Sequence, residues 1–135
     1  MVNKLSFLLL FLTSLESIPS SAVMKKPGET LSLSCKGSGF AFSSSGMHWV
    51  RQPTGKALEW MGAIWYDASR TIYAKSVEGR TEITRDNNNH MVYLKLSGLK
   101  AEDSAVYFCT RKHSDSVWGV LVQNLSHPFV SLSLN

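Results

Sequence analysis

The sequence predicts an all-β fold, a Greek-key sandwich of two sheets, on three observations. From about residue 23 to residue 112, short stretches of alternating apolar and polar residues recur every eight to twelve residues, the spacing of half-buried strands. Turn formers separate them, among them Pro27-Gly28, Pro53-Thr54-Gly55 and Asn87-Asn88-Asn89. The third observation is a constellation. Cys35 and Cys109, the only two cysteines, stand 74 positions apart; Trp49 lies 14 positions after the first, and Tyr107 lies two before the second.

In chain order, residues 1–22 read as an export signal. Lys4 supplies the positive start, residues 5–15 the apolar run, and Ser17, Ser20, Ser21 and Ala22 the small residues that a processing protease accepts. Cleavage after Ala22 or after Ser17 satisfies the pattern. The run is too short to span a bilayer, and no later one is longer, so no membrane insertion is expected. Residues 23–29 predict a short edge strand and a turn. Leu31, Leu33 and Cys35 then alternate with Ser32, Ser34 and Lys36, a half-buried strand. Residues 37–46 form a loop in which Phe40 and Phe42 plug the core. Its glycines do not make a phosphate cradle, because neither a Lys-Ser/Thr pair nor a helix follows.

Residues 47–52 predict the next strand, with Met47, Trp49 and Arg51 inward and His48, Val50 and Gln52 outward. Residues 57–63 form another, which runs into a loop carrying Trp65, Tyr66, Asp67 and Arg70. Residues 71–74 make a short edge strand. Residues 80–86 and 91–96 form a hairpin with Val92, Leu94 and Leu96 as its inward row, and residues 104–111 carry Tyr107 and Cys109.

Composition narrows the function classes. Hydrophobic residues make up 44% of the chain and prolines number only 4, which suits a folded domain. Fourteen basic residues face 10 acidic ones, for a net charge of +4, and no like-charge run exceeds two residues. That is a solvated surface, not a nucleic-acid footprint. His48, His90, His113 and His127 show no metal-ligand spacing, so neither a metal nor a cofactor is expected. No serine sits in a nucleophile elbow and no acid–base pair is indicated, so no enzyme is expected.

Three stretches resemble a known family: Trp49-Val50-Arg51-Gln52, Gly55-Lys56-Ala57-Leu58-Glu59-Trp60-Met61-Gly62 and Ala101-Glu102-Asp103-Ser104-Ala105-Val106-Tyr107-Phe108-Cys109. With Lys25-Lys26-Pro27-Gly28-Glu29 and Cys35-Lys36-Gly37-Ser38-Gly39-Phe40, they resemble the framework of immunoglobulin heavy-chain variable domains over about residues 21–112. The resemblance implies a V-type immunoglobulin sandwich, with a Cys35–Cys109 disulfide between the sheets, Trp49 packed on it and Tyr107 at a tyrosine corner. Such a loop closure removes about 4 kcal/mol of unfolded-state entropy in the chain-entropy model. An oxidising, extracellular compartment goes with it.

The resemblance also implies ion pairs, Arg80 with Asp103 and Arg51 with Glu59 or Asp103, because a buried arginine needs such partners. The outward row of Val50, Gln52, Leu58, Trp60 and Phe108 is apolar around a central glutamine, an exposed patch of the kind that marks a partner surface. The resemblance makes that partner a light-chain variable domain. Ser44, Ser45, His48, Trp65, Tyr66, Asp67, Arg70 and Tyr73 combine aromatic rings with small polar groups, the chemistry of antigen-binding loops. For His48, a packing role is as good a reading. The function implied is antigen recognition in adaptive humoral immunity, secreted or at the cell surface within an immunoglobulin.

The sequence departs from that pattern in three places. The leader-like run passes almost directly into Ser20-Ser21-Ala22-Val23, so a domain spanning residues 23–112 lacks its first strand or has it replaced by signal sequence. Thr81 stands where an apolar core residue is usual, and a buried hydroxyl there needs a partner. After Lys112, Trp118-Gly119 is followed by Val120-Leu121 in place of the family's Gly-x-Gly-Thr continuation.

His113-Ser114-Asp115 can be encoded as CAC-AGT-GAY, which contains CACAGTG, the heptamer of the recombination signal beside germline V segments. Val122-Gln123-Asn124-Leu125 permits an A-rich run like the nonamer at roughly the right spacing. Residues 113–135 therefore read as translation past an unrearranged V segment. Within them residues 117–122 could pair as a closing strand, and the sequon Asn124-Leu125-Ser126 is accidental on this reading. The alternatives are a secreted, non-rearranging V-set receptor or decoy, or a non-functional germline product.

Overall fold

A computed structural model describes residues 14–19, 22–112 and, as backbone alone, 130–134. Among them ten strands form two sheets. In the four-stranded sheet, β1 (Ser14–Ile18), β3 (Leu31–Ser38), β8 (Met91–Leu96) and β7 (Thr81–Asp86) lie in the order β1-β3-β8-β7. In the six-stranded sheet, β2 (Val23–Lys25), β10 (Val130–Leu134), β9 (Ala105–Arg111), β4 (Met47–Pro53), β5 (Glu59–Ile64) and β6 (Thr71–Tyr73) lie in that order. All pairings are antiparallel except that of β10 with β2, which is parallel.

Period-two patterning explains which faces meet. Leu31, Leu33 and Cys35 of β3, Val92, Leu94 and Leu96 of β8, and Met47 and Trp49 of β4 are all buried in one core between the sheets. A disulfide joins Cys35 of one sheet to Cys109 of the other, with Cα atoms 6.4 Å apart. Trp49, the register partner of Cys109, is buried beside it. Phe42 is buried in a 3-10 turn, Phe42–Ser44, and Phe40 packs half-buried against the core. Gly37 makes room for both rings: a Cβ there would lie 2.6 Å from the Phe40 ring and 2.7 Å from that of Phe42.

Two expectations are revised, and a third falls outside the described residues. The first strand is present: Ser14–Ile18 pairs with β3 in continuous register from Ser14↔Ser38 to Ile18↔Ser34, and Leu15 packs against the core. The fold thus begins upstream of residue 23. Along the sequence, Leu15 and Ser17 look like the end of an apolar leader. In the sheet they are the half-buried positions of an edge strand that alternates with exposed Glu16 and Ile18. At the other end, the structure places β10 beside β9 at Val130–Leu134; residues 117–122 and the sequon at Asn124 lie outside the described residues. Thr81 is buried, but among the described residues its hydroxyl has no hydrogen-bond partner, and neither has the Trp49 indole N–H.

Candidate functional site

Charged networks occupy the two ends of β7. Arg80 immediately precedes the strand. Its guanidinium meets Asp103 through Nη1 at 2.9 Å from Oδ2 and Nη2 at 3.1 Å from Oδ1, and donates to the carbonyls of Ser97 and Gly98. Arg51, on the inward row of β4, donates to Asp103 Oδ1 at 2.8 Å and to Glu59 Oε2 at 3.0 Å. The alternatives left open for Arg51 thus both occur. Tyr107 donates its hydroxyl proton to the Asp103 carbonyl at 2.6 Å, closing a tyrosine corner.

Burial pushes the Asp103 carboxyl up, but hydrogen bonds from Arg80, the Lys100 N–H and Arg51 outweigh it and hold the pKa at about 2. Burial alone would lower Arg51; its bonds to Glu59 and Asp103 raise it instead. Burial raises the Tyr107 phenol to about 12. Every lone pair of this carboxylate faces a donor, so the group is a structural lock with nothing left to offer a substrate.

At the other end of the strand, Arg85 shares the inward parity of Thr81 and Ile83. Its Nη1 donates to the Ser45 carbonyl at 2.8 Å and the Trp65 carbonyl at 3.0 Å, its Nη2 to the Phe42 carbonyl at 2.8 Å, and its Nε to Asn87 Oδ1 at 2.7 Å. The guanidinium carbon lies 4.6 Å from the Phe42 ring centroid. Asn87 in turn donates to the Tyr66 carbonyl at 2.8 Å. Two loops distant in sequence, residues 41–46 and 65–70, therefore hang on one side chain. Burial lowers the Arg85 pKa, with Asp67 acting against it.

Above this clamp lies an apolar cavity of about 320 Å³, lined in part by Ser44, His48, Trp60, Ile64, Trp65, Tyr66 and Lys112. His48 is half-buried, and the Trp60 indole N–H donates to its Nδ1 at 3.2 Å. Burial, and then the charge of Lys112, lowers the His48 pKa to about 4. Trp65 and Tyr66 are exposed, and the Arg70 guanidinium sits 5.2 Å from the Trp65 ring centroid. The Asp67 carboxylate accepts from the hydroxyl and N–H of Ser69, which holds it below the usual range.

Residues 18–123 match the family model described as the immunoglobulin V-set domain. The chain belongs to this family. Its sandwich is the V-type, with the inter-sheet disulfide in place. V-set domains are recognition modules, typically extracellular and non-enzymatic, that meet ligands or other immunoglobulin domains. Among the described residues no helix is long and apolar enough to cross a membrane, and no cluster of three His, Cys, Asp or Glu could hold a metal.

Within the V-set frame, the predicted loop residues divide. Ser44, His48, Trp65 and Tyr66 converge on the cavity, with Arg70 stacked at its edge. Ser45 turns its hydroxyl back to the Ala41 carbonyl. Tyr73 lies apart: it packs against the core, and its hydroxyl accepts the Ile83 N–H at 3.1 Å. Sequence inspection missed Arg85 and Asn87. The available signal was parity, since an arginine on the inward row of a strand must find acceptors there.

The outer face of the six-stranded sheet is corrected in one respect. Val50 and Phe108 were expected in an exposed patch; they are buried, at 4% and 9% exposure, in a small second cluster with half-buried Leu58, Trp60 and Val106 packed against them. Packing among these side chains from neighbouring strands covers Val50 and Phe108, which strand parity cannot reveal. Gln52 is exposed on the same face and donates to the Lys56 carbonyl at 3.3 Å.

Proposed function

We propose that this V-set domain is the variable region of an immunoglobulin heavy chain, read from a germline V segment that has not been joined. It recognises antigen at the loop end and pairs with a light-chain variable domain through the outer face of its six-stranded sheet. One observation carries the reading: a second apolar cluster, Val50, Leu58, Trp60, Val106 and Phe108, gathers outside the core on the sheet that also presents Gln52. Leu58, Trp60 and Val106 leave this cluster half-exposed on the outer face, the kind of apolar surface that a partner domain covers. The family's extracellular habit accords with export by the leader and with work at the cell surface or in secretion.

Trp60→Ala tests the pairing. Titrated with a light-chain variable domain, the variant is expected to bind at least about 30-fold more weakly, the loss of a central aromatic anchor, while keeping a folded far-UV spectrum. Unchanged affinity removes this face from the interface. The germline reading predicts a transcript in which the Lys112 codon is joined to a segment encoding Trp-Gly-x-Gly-Thr and then to a constant domain.

A secreted, non-rearranging V-set receptor or decoy is the second reading. It is favoured by β10, since the chain's own residues 130–134 pair with both β2 and β9. A mature message ending at the Asn135 codon supports this reading over the first, and absence of any translated message leaves a non-functional germline product.

A further inference from the structure

We propose that the cavity at the loop end binds a small aromatic anion, an aryl carboxylate of one or two fused rings, with its ring among Trp60, Trp65 and Tyr66 and its carboxylate at Lys112. The inference rests on reading the loop end as the recognition surface.

The floor of the cavity comes from one cross-strand row. His48 of β4, Ala63 of β5 and Ile72 of β6 are register partners on the outer face of the six-stranded sheet, and all three line the cavity. Such neighbours stand about 5 Å apart, close enough to form one continuous surface. The middle of the row is a single methyl between an imidazole and a branched aliphatic chain, so the sheet is recessed there. Trp60 walls the recess, and the loop after β5 brings Trp65 and Tyr66. That loop is anchored: Arg85 holds the Trp65 carbonyl and Asn87 the Tyr66 carbonyl. The main chain of the walls is therefore in place before a ligand arrives, which spares part of the ordering cost of binding.

Apolar walls accept any flat hydrocarbon; the charges select among them. Lys112 lines the cavity, and the Arg70 guanidinium lies 5.2 Å from the Trp65 ring centroid at its edge. None of the lining residues is acidic. Asp67, the carboxylate of the same loop, is engaged by the N–H and hydroxyl of Ser69. The charge of Lys112 reaches the interior, where it adds to burial in lowering the His48 pKa. An anion relieves that positive field, and a cation adds to it. A bare inorganic anion would leave the aromatic walls unused. The volume of about 320 Å³ lies at the small end of ligand sites, about 300–1,000 Å³, which limits the ligand to one or two rings.

The full chain, exported and without a light chain, tests this when titrated with 2-naphthoate, 2-naphthamide and 2-naphthylmethylamine, three ligands of one shape and different charge. Heteronuclear NMR reads both affinity and place. The naphthoate is expected to bind at least about tenfold more tightly than the amide, as a charge-assisted contact predicts, and the amine more weakly than either. Backbone shifts should centre on residues 63–66, and the His48 imidazole should titrate higher in the naphthoate complex. Lys112→Met should erase the preference for the anion while keeping a folded far-UV spectrum, and Trp65→Ala should weaken naphthoate and amide alike. Equal affinities, a preference for the amine, no saturable binding, shifts centred on Val50 and Phe108, or a Lys112→Met variant that keeps the preference overturns the proposal. These outcomes are independent of the pairing titration. A chain that binds naphthoate but no light-chain domain loses the heavy-chain reading alone; one that pairs but ignores naphthoate loses the ligand class alone.

Discussion

The two ends of β7 hold an arginine each, and they are held in opposite ways. Arg80 lies against a carboxylate that it shares with Arg51. Arg85, five residues on and so roughly 17 Å away along an extended strand, lies against three backbone carbonyls and an amide oxygen. At the first end, charge neutralises charge, and the identities of Arg51, Glu59, Arg80 and Asp103 are all committed. At the second, the clamp grips only main chain and Asn87. The side chains of Ser44, Trp65 and Tyr66 are left to line a cavity, and others could stand in their places without releasing the clamp. A recognition domain gains from that division: one end fixes the sandwich, and the other fixes loop shape while leaving loop chemistry open.

The largest effect that would break this comparison is expected from Asp103→Asn. The variant keeps the shape but leaves two arginines facing a neutral amide, and a cost of about 3–5 kcal/mol follows from uncovering a buried pair. Urea unfolding measures it; a loss below about 1 kcal/mol would mean that the lock is ornamental.

Acid separates the two ends by pH window. Asp103 titrates near 2 in the folded chain and near 3.9 unfolded. Its carboxylate therefore stabilises the fold fully above about pH 4, and that contribution, about 2 kcal/mol, fades as pH falls from 4 to 2. His48 is lowered from 6.5 to about 4. The unfolded chain takes up that proton first, so stability is lost between about pH 6.5 and 4 and levels off below. Denaturation midpoints against pH should show two falling segments. His48→Gln should erase the upper one and Asp103→Asn the lower; a single segment, or the wrong variant erasing it, breaks the assignment.

Arg85→Lys sharpens the contrast. An ammonium cannot reach three diverging carbonyls as a planar guanidinium does, so about 1–2 kcal/mol should be lost. Amide exchange should quicken at residues 42–45 and 65–70 and stay unchanged at residues 101–107. Uniform quickening would instead mean that the clamp supports the whole sandwich. The smallest effect is expected between the two ends. Thr81→Val replaces a buried, unpartnered hydroxyl by a methyl of the same shape and should raise stability by about 1 kcal/mol; a loss of stability would reveal an unseen partner.

Much of the frame was legible before any coordinates. The inward rows of β3, β4 and β8, the turns between them, and the pairing of Cys35 with Cys109 follow from alternation and from a resemblance carried by framework residues. Arg51, Glu59, Arg80 and Asp103 were legible too, through the resemblance, which implies their pairing, and because a buried arginine needs carboxylate partners. Arg85 obeys the same parity but finds carbonyls, and carbonyls leave no mark in a sequence. The first strand was hidden because residues 14–18 overlap the end of an apolar run and the small residues after it, and hydropathy along a chain does not distinguish a leader's end from an edge strand's start.

By itself, then, the sequence determined which residues alternate, where the chain turns and which two sulfurs can meet. The first two are consequences of a two-residue period and of local backbone preferences; the third rests on the family resemblance and on the chain having only two cysteines. Only the tertiary structure decided which neighbours cover Val50 and Phe108, which loops share Arg85, and which segments sit beside β3 and β9. Burial, shared donors and strand partners are properties of groups far apart along the chain, and they exist only once the two sheets have closed on each other.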